Sequence, residues 1–333
     1  MSQTNKKVLV VGDCCVDLLV PLPSVTPGKP VIFYEPVLQG GGTAANTAIA
    51  LRKLAIPVEF MGTLGEDTYG RYIINEFRDA GIGIDSLIIE PELNTICVFA
   101  FIDKTGERYL WGWPRVNQAF KELPAAKINW DAIDNAAWIH SSGMVLTYDS
   151  GSRHNVIRIF KYAHKKGIPT SFDLNLRVDT GILDPQYRDA VLEIMEFCTY
   201  VLGSGAEEFY YLHPCDNWRE SAAYFVRDNR TIIARMGKEG SIAMNSINTW
   251  EAEVFPVQVV DTVGAGDVYN AGFIAASLAG KPLQECILWG NAVASFKVAR
   301  HGARSAPSRK ELDEFFIRAE GFNTQESACA GEL

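Results

Sequence analysis

Two glycines and an acid, Gly264, Gly266 and Asp267, follow the apolar segment 255–260 and lead directly into a helical pattern. Glycine lets the backbone turn tightly so that N–H groups approach a ligand, and a following helix adds the positive end of its dipole. The turn therefore predicts an anion site. An acid beside a phosphate is unfavourable unless it accepts a proton from an attacking hydroxyl, which makes phosphoryl transfer the first hypothesis. A helix cap formed by Asp267 is the structural alternative.

A second glycine cluster, Gly40-Gly41-Gly42-Thr43-Ala44-Ala45-Asn46, precedes another predicted helix. Its spacing fits the dinucleotide fingerprint, but it follows a segment with Glu35 and Pro36 instead of a buried strand, and no ribose-binding acid ends a second strand. The P-loop, H-E-x-x-H and G-x-S-x-G motifs are absent from the sequence. The sequence therefore argues against the enzyme classes that carry the dinucleotide fingerprint, the P-loop, H-E-x-x-H or G-x-S-x-G.

Composition narrows the class of protein further. The chain has 333 residues, 47% of them apolar and 21% charged, and contains no apolar run near the roughly 20 residues that cross a bilayer. No signal-peptide pattern opens it, so a cytoplasmic location without membrane insertion is expected. The net charge of −9, with no long basic stripe, argues against nucleic acid as a partner. Seven scattered cysteines without a C-x-x-C pair indicate neither a disulfide framework nor a zinc site.

Strand-length apolar runs alternate with helical patterns along the chain. We expect strands at 8–11, 58–62, 138–140, 169–173, 200–202 and 231–235, a small β segment within 241–260, and helices at 44–54, 70–80, 152–166, 186–197, 267–278 and 283–299. This order predicts an α/β fold with a mostly parallel sheet and helices on both faces.

Segments 31–39, 95–103 and 108–113 do not fit this rhythm and are interpreted as antiparallel strands. Inserted before the first and third helices, they predict a small lid over the carboxyl edge of the main sheet, where ligands of such folds bind. An ordinary surface hairpin with Trp111 and Trp113 packed on the core or on a neighbouring subunit is the alternative. We expect one domain over 1–321, and a disordered tail at 322–333 because that segment is small and polar.

Five segments carry a resemblance to the ribokinase or PfkB family of carbohydrate kinases: the first motif ending at Asp17, the G-G-x-x-x-N start of a helix, 62–70, 173–177 and D-T-x-G-A-G-D at 261–267. The resemblance implies a ribokinase-like three-layer α/β/α sandwich. Its small antiparallel lid would come from about 14–20, 31–39 and 94–115. It also implies ATP-dependent phosphorylation of a sugar hydroxyl.

The resemblance assigns roles to single residues. Asp267 would be the general base, with an anion hole made by the backbone N–H groups of Gly264, Ala265 and Gly266. The sugar would be held by a set of polar and glycine residues: Asp17, Gly41, Gly42, Asn46, Arg108, Asn175 and Arg177. The nucleotide would lie against Gly237, Gly240, Thr262 and Asn291. A helix cap is the structural alternative for Asn46, and ordinary turn or helix positions are the alternatives for Gly237, Gly240 and Asn291.

Departures from the family pattern bear on the cofactors. ATP brings Mg²⁺, and the magnesium motif N-x-x-E is present as 204–207, which keeps Glu207 and replaces the asparagine by Ser204. Segment 300–306 resembles the family's monovalent-cation loop with Ala306 where some members have serine, so K⁺ dependence stays open. Cys15 and Thr43 replace residues typical of ribose-binding members, which disfavours ribose.

The lid sequence resembles the fructokinase and 2-keto-3-deoxygluconate kinase branches. Arg108, Arg115 and Arg177 are candidates for binding a carboxylate or an existing phosphate, with solvated or structural arginines as the alternative. A hexose, ketose or sugar acid is the expected substrate. A nucleoside kinase using Trp111 and Trp113, a catalytically silent sugar-binding regulator, and a homodimer formed through the lid are kept as further hypotheses.

Overall fold

Nine strands form one large sheet. The computed structural model of the chain describes residues 6–25, 27–104, 107–178 and 181–329, with the backbone alone for Arg108 and 320–329. The order in the sheet is β13-β12-β11-β10-β9-β8-β1-β4-β5. Its strands are β1 (Val8–Val11), β4 (Val58–Gly65), β5 (Leu87–Glu90), β8 (Trp138–Ser142), β9 (Thr170–Asp173), β10 (Tyr200–Ser204), β11 (Thr231–Arg235), β12 (Ser241–Met244) and β13 (Thr249–Ala252). All neighbours from β5 to β11 are parallel, and β12 and β13 are antiparallel additions at one edge.

Short side chains and glycines define where the helices begin and end. Ser150 caps one helix through the N–H of Arg153, and Gly167 ends it at a φ of 66°. Asp67 caps another through the N–H of Gly70. The helices are α1 (Thr43–Lys53), α2 (Thr68–Asp79), α3 (Trp130–Asp134), α4 (Gly151–Lys166), α5 (Pro185–Met195), α6 (Tyr210–Leu212), α7 (Trp218–Ala223), α8 (Ala265–Leu278), α9 (Leu283–Val298) and α10 (Arg309–Cys329).

Helices cover both faces of the sheet. Side chains alternate along a strand, so Val8 and Val10 of β1 pack into one buried cluster while Leu9 and Val11 pack into another. The first cluster includes buried residues of α1, α8 and α9, and the second includes those of α4 and α5. Two cores separated by one sheet are the three-layer α/β/α arrangement that the sequence predicts, and the prediction is confirmed.

The lid is a separate sheet of four strands in the order β3-β2-β6-β7. It consists of β2 (Cys15–Pro21), β3 (Val37–Gly41), β6 (Cys97–Ile102) and β7 (Arg108–Trp113). Register pairs Leu18 with Phe99 and Phe99 with Trp111, so these three residues share one face. Asp17 precedes Leu18 and therefore lies on the other face, which we call the Asp17 face.

One segment differs from its sequence-based prediction. Residues 255–260 are extended but not part of the sheet, because Phe255 N–H bonds to Ser295 Oγ and Val260 N–H to Val298 O of α9. The backbone of α10 is helical to Cys329 and residues 330–333 lie outside the described part, so the expected disorder of 322–333 stays a prediction. None of the described helices has the length and apolar character needed to cross a bilayer.

Candidate active site

Polar side chains gather at the carboxyl ends of adjacent strands of the large sheet. Asp13 follows β1, Ser142 ends β8, Asp173 ends β9, Ser204 ends β10 and Arg235 ends β11. These strands are neighbours in the order β11-β10-β9-β8-β1 and run parallel, so their ends meet at one edge. This edge is where ligands of open α/β sheets bind.

Helix α8 brings Asp267 to this edge. Its N-cap, Gly264, has a φ of 78°, and a Cβ at that position would come within 2.7 Å of Ala303 O. Glycine is therefore required both for the left-handed conformation and for the close packing. Asp267 lies in the first turn of the helix and is 5% exposed. The carboxyl group therefore belongs to the turn at which the positive end of the helix dipole lies.

Two hydrogen bonds attach Asp267 to α1. Asn46 Nδ2 donates to Asp267 Oδ2 at 2.8 Å, and Thr47 Oγ1 donates to the backbone oxygen of Asp267 at 3.1 Å. Asn46 lies in the first turn of α1. Its side-chain amide is bonded to the Asp267 carboxyl group, so it does not cap α1. That function belongs to Asp13, which accepts from Thr43 N at 2.9 Å and from Ala44 N at 3.2 Å.

Burial raises the pKa of Asp267 to about 7. The hydrogen bond from Asn46 and the charge of Arg235 lower this pKa, while the charges of Asp173 and Asp13 raise it further. A carboxyl group poised near neutral pH accepts a proton from a hydroxyl more readily than an ordinary aspartate does. The environment therefore suits the general-base role implied by the sequence.

Arg304 orients the Asn46 amide from the other side. Its Nε donates to Asn46 Oδ1 at 3.0 Å and its Nη2 donates to Gly41 O at 2.9 Å, while Nη1 pairs with Glu76. An oxygen that accepts from a guanidinium fixes which end of the amide points to Asp267. Glu76, Arg304, Asn46 and Asp267 thus form one continuous network between α2 and α8.

A second network surrounds Asp173. Arg235 donates to Asp173 through two nitrogens, at 2.6 and 3.2 Å, and Asn270 Nδ2 donates to it at 2.7 Å. Although burial disfavours the charged form, the Arg235 charge and these hydrogen bonds hold the pKa of Asp173 below its ordinary value. Arg235 also donates to Gly266 O at 3.2 Å, which connects this network to the glycine turn.

The acid after β10 that reaches this network is Glu208, and the magnesium role that the resemblance implies for its neighbour Glu207 stays a prediction. Glu208 is buried, accepts from the N–H groups of Ser204 and Leu176, and lies 3.6 Å from Arg235 Nη2. Glu207 is exposed. The reason is a π-helical turn at Gly205–Phe209, whose wider spacing turns the next residue inward. Burial and the charge of Asp173 raise the pKa of Glu208.

The glycine cluster brings the lid to this site. A Cβ on Gly41 would lie 2.5 Å from Asp17 Oδ2, and Gly42 has a φ of 97° with the Asp13 carbonyl 2.8 Å from its missing Cβ. Glycine is therefore required at 42 by the backbone geometry, and at 41 a side chain would displace the Asp17 carboxylate. Because Gly41 O accepts from Arg304, contacts run without a break from half-buried Asp17 to Asp267.

The other three predicted sugar ligands are Asn175, Arg177 and Arg108, and each lies in a different environment. Asn175 has a φ of 35°, and its buried Oδ1 lacks a hydrogen-bond partner among the described residues, so a ligand donor could satisfy it. Arg177 is exposed. Arg108 begins β7 at a register position on the Asp17 face, paired with Ile102.

The predicted nucleotide residues divide into two groups. Gly237 and Gly240, with φ values of 57° and 95°, form a tight turn after β11, and Thr262 is exposed in the turn before α8. Asn291 makes hydrogen bonds within the protein, and its nucleotide role stays a prediction. It donates to Ala252 O and Glu253 O and accepts from Ser241 Oγ, so it fastens α9 to the sheet edge. The Ala265 N–H, predicted for the anion hole, donates to Thr262 O at 3.1 Å.

Sequence reasoning missed Arg304, Arg235, Glu208 and Asn270. Arg235 had a usable signal, because a charged residue that ends a buried parallel strand lies at the ligand edge, as Asp173 does. Glu208 had none apart from its position next to Glu207. Arg304 meets Asn46 across 258 residues of sequence, a separation that leaves no local pattern.

The model of the pfkB family of carbohydrate kinases matches residues 5–310 of the chain. A 5-dehydro-2-deoxygluconokinase of Geobacillus thermodenitrificans is 28% identical to it over 314 residues, 92% of each chain. The protein of the same name from Bacillus subtilis is 26% identical over 312 residues, 92% of this chain and 94% of that one.

Solved structures share the fold. The fructokinase of Xylella fastidiosa with bound ATP has a TM-score of 0.82 at 21% identity, covering 95% of this chain and 99% of that one. The putative ribokinase II of E. coli in complex with ATP and Mg²⁺ has a TM-score of 0.81 at 23% identity, with 94% and 99% covered. These likenesses confirm the ribokinase-like architecture.

We predict that Asp267→Asn unfolds at a higher temperature than the wild type at pH 8, and that the difference shrinks as the pH is lowered to 5. The buried carboxylate holds fewer protons when unfolded, with a pKa that moves from 3.8 to about 7 on folding, so wild-type stability rises as pH falls through this window. A shift of this size corresponds to on the order of 4 kcal/mol. Thermal unfolding from pH 5 to 8 measures it.

The exposed Asp228→Asn is the matched control and should show no such dependence. A melting-temperature difference between Asp267→Asn and wild type that is the same at every pH would contradict the raised pKa.

Proposed function

Because the chain belongs to the pfkB family of carbohydrate kinases, we propose that it transfers the γ-phosphoryl group of ATP to a hydroxyl of a sugar acid, with Asp267 as general base. The observation that carries this proposal is the buried Asp267 carboxyl group, held by Asn46 in the first turn of α8. The base lies in the helix N-terminus that would bind the phosphoryl group, and in-line transfer to a hydroxyl requires these two groups to be close together.

Asp267 accepts the hydroxyl proton as the oxygen attacks phosphorus. Asn46 holds the carboxyl group in one orientation, and Arg304 holds Asn46. The N–H groups of Gly264 and Gly266, with the dipole of α8, offset the charge of the phosphoryl group. Ala265 stabilises the turn through Thr262.

The residues present fit a magnesium ion that arrives with the nucleotide. Among the described residues, no group of three His, Cys, Asp or Glu side chains could hold a metal, and Glu208 is already engaged by two N–H groups and Arg235. Mg²⁺ keeps several waters and binds substrate phosphates with one or two carboxylates, so exposed Glu207 is the carboxylate that would meet it. When bound, the ion neutralises charge on the phosphates.

The Asp17 face of the lid supports a small polyhydroxylated substrate. Register places Gln39, Asp17, Val98 and Gly112 in one row across the four strands. Asp17 accepts hydrogen bonds from hydroxyls, while the absence of a side chain at Gly112 leaves room. The relatives are named for 5-dehydro-2-deoxygluconate, which makes this sugar acid the first candidate, with Arg108 and Arg177 as partners for its carboxylate.

A nucleoside is less well supported. Trp111 and Trp113 lie on the face of the lid opposite Asp17, so they do not lie over a substrate held by Asp17 of the same chain. Their rings pack on each other and on Phe99, at 5.6 and 5.5 Å between centroids.

We predict that the protein consumes ATP with 5-dehydro-2-deoxygluconate, and less efficiently with fructose or ribose, and that Asp267→Asn abolishes turnover while sugar binding persists. The amide cannot accept the proton but keeps the shape and the Asn46 contact. A coupled ADP assay over sugars, sugar acids and nucleosides measures turnover, and thermal shift measures binding.

Stabilisation without ADP release by any binder would instead indicate a silent regulator, and turnover of nucleosides alone would refute the sugar assignment. Asp228→Asn, which is exposed, is the matched control for the substitution and should turn over normally.

We predict that Arg304→Lys shifts the acidic limb of kcat/KM against pH to higher pH. Only an unprotonated Asp267 is a base, so activity rises with pH through its pKa, about 7 in the wild type. Lysine keeps the charge but cannot hold Asn46, Gly41 O and Glu76 together, so the Asn46 bond that lowers the pKa of Asp267 weakens. Arg300→Lys, on the same loop, is the control and should leave the limb in place. An unshifted limb in Arg304→Lys would limit Arg304 to a structural role.

We also predict a homodimer through the lid. The face of the lid opposite Asp17 exposes Leu38, Tyr109, Trp111 and Trp113, and an exposed apolar surface of this kind favours association. Light scattering should give a molar mass twice that of the chain, and Trp111→Asp should reduce the measured mass to that of one chain. Leu110→Asp, on the other face of the same strand, is the matched control. A monomeric wild type would refute the pairing.

A further inference from the structure

Lys297 is a fully buried cation next to the turn 261–266 that leads into α8, which we call the anion turn. It lies in the last turn of α9 with a side-chain exposure of 0%. Its Nζ donates to Asp261 O at 2.6 Å and lies 3.7 Å from Asp261 Oδ1. Burying an ammonium group is costly unless its partners compensate, so such an arrangement indicates a specific task.

Asp261 connects the anion turn to the loop that follows α9. Its Oδ1 accepts from Val263 N at 3.0 Å and its Oδ2 accepts from Gly302 N at 2.9 Å. The N–H groups of Val260 and Asp261 both donate to Val298 O. The position of the turn that begins α8 therefore depends on the charge and contacts of Asp261.

We propose that the Lys297 ammonium takes the place of a dissociable monovalent cation at this junction, so that the kinase needs no K⁺ to order its anion turn. The inference rests on the proposed function of that turn. Lys297 is a positioning residue, since it acts on the turn through Asp261.

The residues at the junction do not fit a bound K⁺. An ion joining segment 300–306 to the anion turn would need oxygen ligands, and Asp261 is the acid through which these two segments meet. Its carbonyl oxygen is held by Lys297, and its carboxylate oxygens by Val263 and Gly302. A second cation there would also be repelled by the ammonium group.

A covalently attached cation has a consequence that a dissolved one lacks. It is present at a fixed high local concentration, so the order of the turn does not depend on salt composition. Its place in the last turn of α9 adds the favourable interaction of a cation with the negative end of a helix dipole.

The first test compares the wild type in chlorides of choline, Na⁺, K⁺ and NH₄⁺ at one ionic strength. We expect kcat, KM for ATP and melting temperature to be the same in all four. Activation by K⁺ over choline of about tenfold, an effect worth about 1.4 kcal/mol, would overturn the proposal. If no substrate is turned over, the proposed function fails, and the melting temperatures still decide the cation question.

The second test uses Lys297→Ala. We expect turnover to fall at least about tenfold, with partial recovery of kcat and of melting temperature on adding ammonium or methylammonium, because these ions can enter the vacated space. Lys281→Ala, which removes a partly exposed lysine paired with Glu285, is the matched control. Loss without any recovery would refute the cation role, and if this variant does not fold, the wild-type comparison remains decisive.

Discussion

The hydrogen bond between Asn46 and Asp267 is the interaction on which the site depends, because it joins the starts of two helices that are far apart in sequence. Both helices begin at glycines with positive φ, Gly42 and Gly264. Small buried side chains along α1 and α8, among them Ala44, Ala48 and Ala271, let the two helices pack closely. The N-termini therefore converge, and the lid, attached through Gly41, is brought to the same place.

The way positive charge is distributed explains why Asp267 keeps its basicity. The two arginines closest to the site in the hydrogen-bond networks each pair with another acid: Arg235 with Asp173 and Arg304 with Glu76. Among the described residues, the group that donates to the Asp267 carboxyl is the neutral amide of Asn46. A guanidinium in its place would lower the pKa and weaken the base. The site thus satisfies its buried charges without neutralising the one that is proposed to act.

The sequence predicted the layers of the fold and the part of the candidate site that lies at the starts of α1 and α8. Alternating patterns predicted the parallel sheet, and the glycine motif identified Asp267 and Asn46 because local backbone demands leave local signals. Contacts across distant segments leave none, which is why Arg304 was missed. The motif at 204–207 led to Glu207 and not to its buried neighbour Glu208, because no spacing rule for an ordinary helix anticipates the π-helical turn at Gly205–Phe209. Asn291 matches the family position and at the same time holds α9 to the sheet edge through its hydrogen bonds.

The lid shows how a single residue of register determines what a strand can recognise. Adjacent side chains on β7 point to opposite faces, so Trp111 and Trp113 point away from the Asp17 face while Gly112 lies on it, in the same row as Asp17 and beyond Val98. The aromatic surface and the substrate surface are therefore two sides of one sheet, and each can meet a different requirement. Aromatic residues that cover an outer face favour association, and a carboxylate that accepts hydrogen bonds from hydroxyls favours a compact polar ligand. A substrate that needs stacking would have to be held elsewhere, which is why the geometry of the lid favours a sugar over a nucleoside.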